Sequence, residues 1–226
     1  DIAVIGAGIT GSLISHALLK AGYDTVVIDK RDVGTGSSSA TTSMLQYEID
    51  TPMTELSVMI GEEGAVLCYK AGIDSINILD DLIKKENLDA GFELKKSLQV
   101  AHNASAVKDM EKEYRLRKKH GFEVEWLTSG EIKKRYKMDS YPGILSENGA
   151  SIDAFQFAHE LFRKNNKRGL RIFDHTGIKK INYGNRVEII TDEGYKVICK
   201  RIVFCTGFET LSMFRKKYAD IVSTFA

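Results

Sequence analysis

Residues 1–31 read DIAVIGAGITGSLISHALLKAGYDTVVIDKR, and this stretch decides the fold. Ile2–Ile5 is an all-apolar run of the kind found in a parallel strand buried on both faces. The segment Gly6-Ala7-Gly8-Ile9-Thr10-Gly11 follows at once. Ile9 to Ala21 then reads as a helix, with Ile9, Leu13, Ala17 and Leu18 on one face and Gly22 just past its end. Thr25–Ile28 is a second buried strand, so the stretch closes a strand, helix, strand unit.

Each glycine of the turn has a physical reason to be there. Gly6 allows the tight exit from the strand, Gly8 lets a pyrophosphate approach the backbone, and Gly11 lets the helix pack closely on the sheet. The phosphates would sit on the free N–H groups at the helix start, where the dipole also favours negative charge. Asp29 ends the second strand, 18 residues after Gly11. Its carboxylate can accept hydrogen bonds from ribose hydroxyls and would repel the extra phosphate of NADP, an exclusion that Lys30 and Arg31 soften without reversing. A glycine-rich turn with no ligand is the plain alternative, but the strand before, the helix after and the acid at this distance agree on a dinucleotide site.

The choice between FAD and NAD rests on what comes next. An NAD dehydrogenase runs from its second strand into another helix and a third parallel strand within a few tens of residues. This chain instead enters Gly34-Thr35-Gly36-Ser37-Ser38-Ser39-Ala40-Thr41-Thr42-Ser43. Such a loop offers backbone donors and hydroxyls that could bind pyrophosphate and the ribityl end of a flavin. A flexible serine linker is the alternative.

Beyond the loop the organisation is mixed. Thr54 to Asn87 reads as mostly helical, with Val66, Tyr69, Ile73, Ile76 and Ile83 along one side. Phe92 to Ala101 reads as strand, Ala106 to Lys119 as helix, and Thr128 to Tyr136 as a short helix opened by a Thr128/Glu131 capping box. Asp153 caps a helix through Lys167, and strands near Ile172, Ile178, Val187, Val197 and Val203 are expected to return the chain to the sheet. The fold class expected is α/β, a Rossmann-like FAD-binding fold with a parallel sheet and an inserted α+β substrate or cap region. The FAD-binding domain would comprise residues 1–50 and 150–226, and the insertion residues 51–149.

The DIAVIGAGITG opening, the acid and basic pair after the second strand and the SSSATTSMLQYEID loop resemble the D-amino-acid oxidase superfamily. That group includes glycine oxidase, sarcosine oxidase and FAD-dependent glycerol-3-phosphate dehydrogenase. Gly149-Ala150-Ser151-Ile152-Asp153 looks like the family's segment before the helix that leads back to the FAD domain. Thr176-Gly177-Ile178 looks like the strand whose backbone meets the adenine, and Val203-Phe204-Cys205-Thr206-Gly207 like its Ala-Thr-Gly turn, with Cys205 in place of alanine. The resemblance implies FAD as cofactor and hydride transfer from an amine, amino acid or hydroxy substrate to the flavin. It makes Gly6, Gly8, Gly11, Asp29, Lys30, Ser37, Ser38, Ser39, Thr41, Thr42, Ile178, Thr206 and Gly207 cofactor-binding candidates, with ordinary strand and turn as the alternative for Ile178 and Gly207. Members of the family continue well past the Thr-Gly turn, so a C-terminally truncated member is expected, and the electron acceptor is open. The opening at Asp1, inside a strand, likewise implies trimmed leading residues.

Composition narrows the remaining classes. The chain has 226 residues and a formal charge of +1, which calls for neither nucleic acid nor an anionic membrane. The densest basic stretch, Arg115 to His120, reads as the solvated face of a helix. Cysteines 68, 199 and 205 show no ligand spacing, so no metal site or disulfide framework is suggested and a reducing cytoplasm fits. No segment approaches the length of a membrane span. His16, His102, His120, His159 and His175 are scattered and read as surface or structural. Cys205 reads as a small buried side chain. No catalytic residue is evident: Gln46, Tyr47 and Glu48 could face the flavin or simply form a strand. An NAD-dependent dehydrogenase and a non-catalytic dinucleotide-binding module are the competing functions.

Overall fold

The computed structural model describes residues 1–207. The chain begins β1 (Ile2–Ile5), α1 (Ile9–Lys20), β2 (Thr25–Ile28), α2 (Ser37–Ala40) and β3 (Met44–Gln46). It continues α3 (Met53–Ile60), α4 (Glu62–Glu86), β4 (Glu93–Val100), α5 (Val107–Lys119), β5 (Val124–Leu127), α6 (Ser129–Tyr136) and β6 (Gly143–Ser151). The last elements are α7 (Ala154–Asn166), β7 (Arg171–Phe173), β8 (Ile178–Asn182), β9 (Val187–Thr191), β10 (Lys196–Cys199) and β11 (Arg201–Phe204). These form two compact units. Among the described residues, one holds Asp1–Thr42, Glu86–Ala90 and residues 153–207, and the other holds Ser43–Lys85 and Gly91–Ile152. Glu86–Ala90, which the sequence placed in the insertion, thus lies in the first unit, held there in part by the Asp153 N–H donating to the Ala90 carbonyl at 2.8 Å.

The first unit is built on a parallel sheet in the order β11-β1-β2-β7. All eight residues of β1 and β2 are buried, as apolar strands covered on both faces require. The face that α1 buries is not the one expected. Gly11, Ser12, Ser15 and His16 are buried, whereas Ile9, Leu13 and Leu18 are only half-covered and Ala17 is exposed. At Gly11 the helix runs so close to the turn after β1 that no side chain would fit, and further along the same face His16 meets Asn165 of α7. Leu18 and Leu19 pack at its flank against Val4, Val27, Phe162 and Leu170.

Of the five later strands, only β7 and β11 join the parallel sheet. The others form a separate antiparallel sheet, β10-β9-β8. The connections explain the difference: β8, β9 and β10 are joined by short turns, and short turns make hairpins, whereas parallel pairing needs a long crossover. Val187 and Ile189 of this small sheet pack with Ala3, Ile5, Val26 and Ile28.

The second unit carries a sheet ordered β3-β6-β4, with β5 also paired to β6. The long helical stretch is broken at Gly61, whose φ of +85° suits glycine, into α3 and α4. Val66, Tyr69, Ile76 and Ile83 are buried along α4 as the periodicity predicts. Tyr47 stacks on Phe122 at 5.7 Å between ring centres, and Tyr69 meets both rings edge-on. The Thr128/Glu131 capping box opens α6, and Asp153 caps α7 by accepting from the Gln156 N–H.

The basic stretch on α5 departs from expectation. Arg115, Lys118 and Lys119 are solvated, but Arg117 is fully buried. It lies one helical turn from Glu113, and its Nε donates to Glu113 Oε1 at 2.7 Å. The pair therefore turns inward together.

Candidate cofactor site

The glycine turn is tight for reasons visible atom by atom. Gly6 has a φ of +108°, and a side chain there would come within 2.4 Å of the Cys205 carbonyl oxygen. At Gly11 a Cβ would lie 1.9 Å from the Gly6 carbonyl oxygen. Gly8 is the N-cap of α1, and a Cβ there would stand 3.1 Å from the Ser38 hydroxyl. Three segments distant in sequence thus converge at the head of α1.

The hydroxyl loop is folded onto that head. Ser38 is buried, and its Oγ accepts from the Ile9 N–H at 2.9 Å, while the Gly34 N–H donates to the Ala7 carbonyl at 2.9 Å. This contact replaces the linker alternative with an ordered loop. Helix geometry leaves the N–H groups of Thr10 and Gly11 with no earlier helical carbonyl to pair with, and no acidic side chain stands in the first turn. Such an end favours an anion.

Asp29 does more than the sequence suggested. Its Oδ2 accepts from the Ala7 N–H at 2.7 Å and its Oδ1 from the Arg31 N–H at 2.9 Å, so the acid braces the turn. A carboxylate offers about four lone-pair sites, which leaves acceptor capacity for ribose hydroxyls. The Asp29 backbone carbonyl accepts from the Thr176 N–H at 2.8 Å, which brings the start of β8 to the same acid.

The structure gathers Gly6, Gly8, Gly11, Asp29, Ser38 and Thr206, since the Thr206 N lies 3.2 Å from the side-chain position of Gly6. The other candidates lie further out. Lys30, Ser37, Ser39, Thr41 and Thr42 are exposed, with Ser39 Oγ turned to the Gly36 carbonyl at 2.9 Å. Ile178 is half-buried in β8 against the small-sheet core, and Gly207 is exposed with a φ of +56°. Cys205 packs with its Cβ 3.8 Å from the Gly11 side-chain position, and burial pushes its thiol up. Both facts suit a packing role. Of the histidines, His16 is buried with Nδ1 3.0 Å from Asn165 Oδ1, and His175 pairs with Asp32 on the surface. The backbone donors at Ala7 and Ile9 carry no side-chain signal, so sequence reasoning could not list them.

Gln46, Tyr47 and Glu48 belong to the second unit. Tyr47 is core, with its hydroxyl 2.8 Å from Ser146 Oγ, and Gln46 Nε2 donates to Ser97 Oγ at 3.3 Å.

A strand, glycine turn and helix with an acid closing the next strand define a dinucleotide-binding protein of the Rossmann type. The particular family follows from the sequence match. Residues 1–222 match the DAO family, FAD dependent oxidoreductase, and the chain belongs to it. FAD is the cofactor of that family. Among curated proteins the chain is 24% identical over 208 residues to a putative Rieske 2Fe-2S iron-sulfur protein of Bacillus subtilis, covering 92% of this chain and 40% of that protein. It is 26% identical to 4-methylaminobutanoate oxidase (formaldehyde-forming) of Paenarthrobacter nicotinovorans, covering 92% and 24%, and 21% identical to glycine oxidase of Geobacillus kaustophilus, covering 92% and 54%. The crystal structure of the last superposes with a TM-score of 0.77 at 20% identity, over 92% of this chain and 55% of that one, which establishes the fold. The chain spans from about a quarter to about half the length of these relatives. Among the described residues no helix is long and apolar enough to cross a membrane.

Proposed function

We propose that the protein is an FAD-dependent oxidoreductase that oxidises a small amine or amino acid at a carbon–nitrogen bond. The observation that carries this reading is the seating of the Ser38 hydroxyl and the Gly8 turn together on the N-terminus of α1, beside Asp29. The donor set fits the adenosine diphosphate half of the cofactor. The α1 N–H groups and the Ser38 loop would hold the pyrophosphate, and Asp29 the ribose. Ser37, Ser39, Thr41 and Thr42 would line the path towards the ribityl chain, and Lys30, Ile178, Thr206 and Gly207 the flanks. Bound flavin supplies the hydride-accepting chemistry. The chain's own part is to orient the cofactor and keep water from it.

Under this reading the first unit is the FAD-binding domain and the second the substrate-side domain. The choice of an amine rests on the relatives, since glycine oxidase, 4-methylaminobutanoate oxidase and the gamma-glutamylputrescine oxidoreductase of Escherichia coli all carry amine substrates in their names. The test is anaerobic addition of glycine, N-methyl amino acids, diamines and glycerol phosphate to the full-length flavin-loaded protein. Bleaching of the flavin band by an amine supports the reading. Bleaching by glycerol phosphate alone overturns the amine class.

A further inference from the structure

The second unit holds a buried ionisable group that the cofactor site does not use. Arg117 of α5 is engaged by Glu113, and its Nη2 also donates to Gln99 Oε1 at 3.0 Å. Glu113 is itself fully satisfied: Oε1 accepts from the Met53 N–H at 2.9 Å, and Oε2 from the Thr54 N–H at 2.8 Å and the Thr54 hydroxyl at 2.9 Å. This pair neutralises itself. Glu48, just past β3, is a second carboxylate on the same guanidinium. Its Oε1 stands 3.5 Å from Arg117 Nη1, beyond good hydrogen-bond geometry, and its side chain is 10% exposed. Neither Glu48 oxygen has a well-formed hydrogen bond from the protein, and neither does Arg117 Nη1.

Two carboxylates therefore share one cation in a core of Tyr47, Tyr69 and Phe122. With both ionised the group would carry one uncompensated negative charge. Among the described residues Arg117 is the one cation at ion-pair distance from Glu48. The other groups around it are neutral: the Tyr47 and Tyr69 phenols, the Ser97 and Ser146 hydroxyls, and the Gln99 amide. An unpaired buried charge costs several kcal/mol, and a carboxyl in that position avoids the cost by keeping its proton.

We propose that Glu48 is a proton-binding site: the folded second unit holds it as a neutral carboxylic acid while Glu113 stays ionised against Arg117. Burial pushes the Glu48 carboxyl above its ordinary range, and its own backbone N–H, Arg117 and the Ser97 and Ser146 hydroxyls offset only part of that. Glu113 is buried as well, yet Arg117 and the Thr54 and Met53 N–H groups outweigh burial and hold it below its ordinary range. Two glutamates on one arginine are thus driven apart, and the number of hydrogen bonds to each decides which one keeps the proton.

Below the ordinary glutamate range Glu48 is neutral in both the folded and unfolded chains and has no effect. As pH rises through that range the unfolded chain sheds the proton while the folded one keeps it, so stability falls until the folded group ionises too.

The test compares thermal midpoints of the full-length protein and its Glu48→Gln variant, both saturated with FAD, from mildly acidic to mildly basic pH. The variant should be at least as stable as the parent at neutral pH and should lose part of the parent's decline with rising pH. A Glu48→Gln variant that is less stable by a constant amount at every pH overturns the proposal, because the ionised carboxylate would then have been stabilising. A 13C titration of glutamate carboxyls in the parent protein gives a readout that needs no variant to fold. One carboxyl titrating above the rest is expected, and its absence overturns the proposal as well. Neither readout depends on whether the substrate is an amine.

Discussion

Replacing Gly11 by alanine tests the architecture of the candidate cofactor site where it is tightest. The new Cβ would lie 1.9 Å from the Gly6 carbonyl oxygen, and ordinary contact begins near 3.4 Å, so a gap of about 1.5 Å (3.4 − 1.9) must open. The obstructing atom is backbone, itself fixed by the Gly6 N–H bond to the Ile28 carbonyl at 2.8 Å, so no flexible side chain can absorb the shift. Overpacking of this kind costs about 1–3 kcal/mol, and the rigid neighbour puts Gly11→Ala at the upper end. The effect on FAD should be larger. Moving α1 by that distance carries its N–H groups out of hydrogen-bond range of a phosphate, and each charge-assisted bond lost is worth about 1.5–3 kcal/mol. Losing two would weaken FAD binding by roughly 10²- to 10⁴-fold. Flavin-fluorescence titration and urea unfolding of the full-length protein measure the two effects. Gly22→Ala is the control, because a side chain at Gly22 meets nothing within 4 Å and costs only the strain of its φ of +83°. FAD affinity unchanged in Gly11→Ala, or lowered equally in both variants, would refute the reasoning.

Ser38→Ala should cost about 1 kcal/mol of stability through the lost bond to the Ile9 N–H. It should also lower FAD affinity, whereas Ser75→Ala, which loses only a bond to the Ala71 carbonyl within α4, should change affinity little; parallel flavin titrations compare them. Asp29→Asn turns an amide towards one of the two N–H donors that the carboxylate accepts, so both unfolding stability and FAD affinity should fall. Glu113→Ala leaves Glu48 as the carboxylate beside Arg117 but strips the buried Met53 and Thr54 N–H groups of their acceptor, and should destabilise the protein by about 1–3 kcal/mol in urea unfolding. Because Glu113 is held below its ordinary range when folded, its contribution is present at neutral pH and is lost as pH falls through the folded value. Acid unfolding monitored by circular dichroism should therefore show a steeper decline in the parent than in Glu113→Gln.

The candidate cofactor site was legible where local backbone geometry demands a particular residue. Only glycine tolerates the approaches at positions 6 and 11, and a carboxylate at the end of β2 supplies acceptors to both the Ala7 and the Arg31 N–H, so these positions declare themselves. The hydroxyl loop was legible as a class but not residue by residue. Ser37, Ser38 and Ser39 look alike in sequence, and it takes the fold to turn Ser38 inward and leave its neighbours exposed. Long-range pairing hid the rest. Nothing local separates Arg117 from the solvated bases around it, because its burial depends on Glu113 one turn away and on Glu48 and Tyr47 some 70 residues earlier. The same holds for α1, whose buried face is set by the closeness of the strand turn at Gly11 and by α7 at His16, against the apolar stripe that periodicity favours.

The most direct test of the account is the visible absorption spectrum of the purified full-length protein, with the supernatant analysed for free flavin after heat denaturation. A flavin spectrum and release of FAD are expected, FAD being the dinucleotide whose pyrophosphate and ribose the head of α1 and Asp29 would hold under the proposed function. A colourless protein that takes up no added FAD, or one that releases FMN and no FAD, would contradict it.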